Sequence, residues 1–238
     1  MPDEILLGII TFFTSTIAGV VGLGGGMILI AVLPSFLPIS ALVPVHGLTQ
    51  MSSNFSRAIF GYKDVKVEVI PKFLLGSILG VSFFATILYF ISLAYVPLFI
   101  GSYILLSLWS KKFNEKIKRF ENYIVIGFFQ SGFSIVVGAT GPLATTLLVK
   151  DYDDKHTVVA TAAALMSITH LLKVFAFMIF GFVFFDYIGV LTGMIIGAVA
   201  GSWMGTKLRD KIDGKKFMLA LKILLSLMAI KLIIGLFL

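Results

Sequence analysis

Between Asn122 and Val149 the chain runs for 28 residues without an Asp, Glu, Lys or Arg. A helix that crosses a bilayer needs ~20 predominantly apolar residues. The stretch is therefore long for one crossing and too short for two crossings joined by a loop. Near its middle stands Gly138-Ala139-Thr140-Gly141-Pro142, a sequence that does not sustain helix. A re-entrant helical hairpin with its tip at the break satisfies both constraints.

The same arrangement stands at the start of the chain. Ile5 to Leu37 is apolar and broken at Gly22-Leu23-Gly24-Gly25-Gly26, with Pro34 beyond. The arms are Ile5–Val21 and about Met27–Leu37, the second too short to cross alone at 1.5 Å per residue. The two breaks lie 116 residues apart, and the polar positions that follow keep that offset: Asn54 matches His170 and Arg57 matches Lys173. Gly76 and Gly80 are echoed at 117 positions by Gly193 and Gly197. The pattern predicts an all-α polytopic membrane protein built as two repeats, residues 1–110 and 122–238, joined by a basic linker, 111–121. Each repeat holds one broken hairpin and three transmembrane helices. Helix is expected to resume near Val45, after Pro34, Pro38 and Pro44. The loops 62–72, 111–121 and 207–216 carry the Lys and Arg and belong in the cytoplasm; 34–44, 91–96 and 181–186 carry none and belong outside. With those loops fixed, the hairpins enter from opposite sides and the repeats are inverted, a plan of secondary transporters. The short loop 150–156 is the weak joint of that assignment. Full crossings by all four hairpin arms would make ten spans, and two kinked single spans would make eight.

Composition closes off other classes. Hydrophobic residues make up 58% and charged residues 13%, with mean hydropathy +1.04, against about 25% charged in soluble domains. The net charge of +7 sits at span ends and reads as topology, not nucleic-acid binding. There is no cysteine and there are three scattered histidines, so thiolate chemistry is excluded and a metal site is thinly supported. Gly22-Leu23-Gly24 starts a dinucleotide fingerprint, but Met27 stands where glycine is required and the context is a membrane helix. No cofactor, nucleotide motif or Ser–His–Asp set is found. The start Met1-Pro2-Asp3-Glu4 lacks the basic region of a cleaved signal peptide.

The candidate binding residues are those a small anion would need. Irregular backbone at membrane depth survives where protein or a wet cavity covers it, and the new half-helix behind each break presents N–H groups and a positive dipole end. These are Gly22, Gly24, Gly25 and Gly26 in the first break, and Gly138, Thr140 and Gly141 in the second. Behind the first break His46, Gln50, Asn54 and Arg57 recur at helical spacing on one face; behind the second stand Met166, His170 and Lys173. No span contains an acidic residue, so Lys173 has no carboxylate partner at its depth and a bound anion would supply the counter-charge. His46 and His170 are candidate proton carriers. Gln130, Ser131 and Ser134, on the helix that enters the second break, are candidates for the same cavity. Lys222 and Lys231 read as packing or surface residues.

The first break with Pro34, its counterpart Gly138-Ala139-Thr140-Gly141-Pro142, the basic central loop and the length together resemble the TauE/SafE family of sulfite-exporter-like membrane permeases. The resemblance spans essentially the whole chain. It implies a multi-pass transporter of a prokaryotic inner membrane, with sulfite or organosulfonates as substrates. Thr140 and Pro142 replace glycines of the first break, so the half-sites need not be equivalent. The function expected is secondary transport of such anions by alternating access, with the bilayer and the anion as partners; proton coupling and homo-oligomerisation stay open. An anion channel, an intramembrane enzyme and a non-transporting scaffold are the rivals.

Overall fold

The computed structural model of the chain describes residues 3–22, 24–90, 92–119, 121–140, 142–212 and 214–235. Among them there is no strand. The first half comprises α1 (Asp3–Val21), α2 (Gly25–Val32), α3 (Ile39–Phe60), α4 (Ile70–Tyr89) and α5 (Val96–Trp109). A short α6 (Lys111–Lys118) follows. The second half comprises α7 (Tyr123–Val137), α8 (Pro142–Asp151), α9 (Lys155–Ile179), α10 (Ile188–Leu208) and α11 (Gly214–Ile234). By length and composition, four helices among the described residues are long and apolar enough to cross a membrane; they contain α1, α4, α9 and α10. Large apolar side chains such as Phe83, Ile196 and Leu227 remain more than half exposed, as expected of a surface that faces lipid.

Two boundaries differ from the sequence expectation. Helix α3 starts at Ile39 and carries Pro44 inside it. Pro38 is extended, and Pro44 lies early enough that its missing N–H forfeits only a bond to the Ser40 carbonyl. The linker 111–121 is no simple loop, because α6 occupies most of it: Asn114 Nδ2 donates to the Ser107 carbonyl at 3.2 Å and ties α6 to α5.

Small residues set the closest helix contacts. Gly193, Gly197, Gly201 and Gly205 of α10 lie in turn against the carbonyls of Glu4, Gly8, Phe12 and Thr16 of α1, so these helices run parallel. Gly76 and Gly80 of α4 lie against the carbonyls of Ile124 and Phe128 of α7, again a parallel pair. A Cβ at any of these six positions would collide with backbone. Contact of this kind is what small-xxx-small spacing permits. Helices α3 and α9 cross the centre antiparallel, with Gly47 beside Lys173 and Gly61 beside Ala160. Helix α3 also runs parallel to α10: Thr49 meets Met194, and Ser53 exchanges hydrogen bonds with Ser202 at 3.1 and 2.8 Å. Trp109 Nε1 donates to Ser226 Oγ at 2.7 Å, joining α5 to α11, and Lys222 lies 3.8 Å from the centroid of the same ring. Lys222 is thus a packing residue.

Candidate functional site

The first break turns on two glycines. Gly22 and Gly24 have φ of 89° and 94°, values that favour glycine. Leu23 lies outside the described residues. Gly25 then packs against Thr14 and Ala18 so closely that a Cβ would strike the Thr14 carbonyl, which folds α2 back along α1. No side chain caps the start of α2 at Gly24. The Gly26 carbonyl accepts from His46 Nε2 at 2.9 Å, which fixes the tautomer and leaves Nδ1 without a partner.

The second break is held by side chains. Gly138 has φ of 76°, and its carbonyl accepts from Lys173 Nζ. Lys173 Nζ also lies 3.2 Å from His170 Nδ1. Gln130 Oε1 accepts from Ala144 N at 2.7 Å, and Thr140 Oγ1 donates to the Gln130 carbonyl at 2.8 Å. At the base of this hairpin Tyr123 Oη donates to Asp151 at 2.7 Å. Both arms therefore start and finish on one side, as the run length predicts. Ser131 bonds Ser77 and Thr169 at 2.8 and 2.9 Å. Ser134 is buried, and its hydroxyl has no partner.

A cavity of about 40 Å³ lies between the two breaks, walled by α1, α2, α3, α8 and α9. One water needs ~10–15 Å³ on this measure, so the space suits a compact ion better than a metabolite. Of the residues singled out from sequence, Gly22, Gly24, Gly26, His46, Gln50, Asn54, Arg57, Met166 and His170 line it. Gly25, Gly138, Thr140 and Lys173 stand outside its lining, as do Gln130, Ser131 and Ser134. Gly141 lies outside the described residues. Arg57 donates from Nη1 to Asn54 Oδ1 at 3.2 Å and from Nη2 to Ser53 Oγ at 3.1 Å, while its Nε has no partner. With His170 Nδ1 turned to Lys173, the proton of the neutral ring belongs on Nε2. No Asp or Glu lines the cavity. Among its polar lining, Arg57 carries an N–H without a partner.

Sequence reasoning set Ala139 inside the second break and missed Thr145, Ala162 and Ala163, which with it complete the wall. Such small residues leave no chemical signal. It also missed Arg209, placed in a basic loop but only 2% exposed, with Nε donating to the Gly19 carbonyl at 3.0 Å. Outside the spans, Asp154 caps α9 by accepting from Thr157 N at 2.7 Å, and this bond holds its carboxyl below the usual 3.8.

Among the described residues, helices without a strand, apolar outer faces and two glycine breaks around a small cavity make up a polytopic membrane protein. Residues 7–232 match the family described as sulfite exporter TauE/SafE, and the chain belongs to it. No curated protein and no solved structure matches the chain.

Proposed function

We propose that the chain is a secondary transporter of a small sulfur oxyanion, sulfite above all, in a prokaryotic inner membrane. The observation that carries this reading is the cavity between the two breaks. Arg57 supplies charge and an unpartnered Nε, His170 supplies an N–H, and the uncapped start of α2 adds its dipole. The cavity's size favours sulfite over organosulfonates, whose carbon portion would need further space.

Helix directions support alternating access. Helices α1, α3 and α10 run one way. Helix α9 opposes α3, and α7 runs with α9, as the Ser131–Thr169 and Gly138–Lys173 contacts require. Helix α4 runs with α7. So α1 opposes α7, α3 opposes α9 and α4 opposes α10. These are the helices that sequence offset pairs, and opposed counterparts are the signature of an inverted repeat. His46 Nδ1 is the natural place for a co-transported proton, since Nε2 is already engaged by Gly26.

Uptake into proteoliposomes tests the proposal, with sulfite, sulfate, thiosulfate and an organosulfonate supplied in turn. Sulfite should saturate and accumulate against its gradient. Saturation without uphill accumulation would favour a channel, and no flux of any anion under any imposed gradient would sink the reading.

A further inference from the structure

A second cavity lies on the other side of the second break. It measures about 520 Å³ and runs between α4, α5, α6, α7 and α8. Its walls are aromatic and aliphatic, with Phe84, Phe99, Phe129 and Phe133 prominent. Three polar residues, Ser102, Tyr103 and Lys116, interrupt them. Tyr103 is 8% exposed and its hydroxyl has no hydrogen-bond partner. Lys116, exposed on α6, stands at the rim. Phe113 of α6 packs edge-on to Tyr103 with centroids 6.2 Å apart, and Lys116 follows one turn later on the same face. Lys116 is thus brought to the α6 wall of the groove.

We infer that this groove holds one anionic phospholipid, its acyl chain along the phenylalanines and its phosphate beside Lys116. Three observations select that occupant. The surface of the groove is almost wholly apolar, which suits an acyl chain. Helix α6 presents exposed Lys111, Lys112 and Lys116, and basic helices next to spans recruit anionic headgroups. The equivalent seam of the other half has protein packing: α11 packs directly on α2, whereas α5 packs on α7 and Leu143 of α8 forms a separate wall of the groove. The groove is therefore not imposed by the fold. Val136, Val137 and Leu143 line it and flank the second break, so the acyl chain braces that break from behind. The inference is independent of which anion is transported.

The test uses the purified full chain, stripped of lipid and titrated with phosphatidylglycerol or phosphatidylcholine. Native mass spectrometry counts bound lipid and Tm reports its effect. One phosphatidylglycerol should be retained in preference to phosphatidylcholine, and Lys116→Ala should lower that preference about five-fold. Equal retention of the two lipids, or a preference unchanged in Lys116→Ala, overturns the inference.

Discussion

The two breaks began as near copies and now do different work. The first leaves its half-helix uncapped, facing a cavity that Arg57 shares. The second is fastened: Lys173 takes the Gly138 carbonyl, Gln130 takes an N–H of α8, and Thr140 returns to Gln130. Arg57 and Lys173 occupy matched positions, yet the guanidinium lines the cavity and the ammonium holds backbone. Arg57 bonds neighbours on its own helix and retains a donor to spare. Lys173, fully buried, spends its short, mobile head on a carbonyl exposed by a helix that had to stop. A cation at a given register is therefore no guide to its task until the nearest orphan carbonyl is known.

The largest expected effect contrasts two neighbours within the first break. Gly25→Ala drives a Cβ into the Thr14 carbonyl and should abolish folded protein, read by size exclusion in detergent. Gly26→Ala places its Cβ 3.1 Å from Gln50 Oε1, a side chain that can yield. That variant should fold but lose most sulfite flux, because the methyl enters the cavity. If both variants behave alike, the division of the break into a packing glycine and a site glycine is wrong.

Next come the matched cations. Arg57→Gln should lower sulfite flux ~10–100-fold, the worth of a charged hydrogen bond at 1.5–3 kcal/mol, with Tm little changed. Lys173→Met should do the reverse: a clear fall in Tm with flux, per folded molecule, within a few-fold of the parent. Equal losses of flux would restore the symmetric picture of two half-sites. Gln130→Leu, which orphans Ala144 N, should cost about 1–3 kcal/mol of stability, measured by thermal unfolding. Single cysteines at Ser40 and Lys112 report orientation; external labelling of Lys112→Cys but not Ser40→Cys would reverse the assignment of sides. The smallest effect is at Asp154. Its carboxyl sits below the usual 3.8 when folded, so its contribution is complete above that value and is lost as pH falls through the folded one. Asp154→Asn should leave neutral stability nearly intact and flatten this part of the acid limb of a Tm–pH curve.

Much of this was legible before any coordinates. The length of the uncharged run demanded a hairpin, and Tyr123 against Asp151 shows both arms returning to one side. The offset linking Asn54 to His170 picked out α3 and α9, which cross antiparallel at the centre. What sequence did not carry was the destination of each donor. Nothing local tells Gln130 to reach across the hairpin to Ala144, or Lys173 to choose a carbonyl 35 residues away. Those choices depend on distances that arise only after folding. Pro44 misled for the opposite reason: proline signals a helix boundary on average, but near an N-terminus it costs little.

The glycine-lined contacts bear on biosynthesis. Helices α1 and α4 each find their tightest partner, α10 and α7, in the opposite half of the chain. Early in translation the first half stands in the membrane with two glycine-matched surfaces still waiting. The first can close once α7 emerges, the second only with α10. The sequence halves are thus not the packing units: each closely packed pair takes one helix from either half.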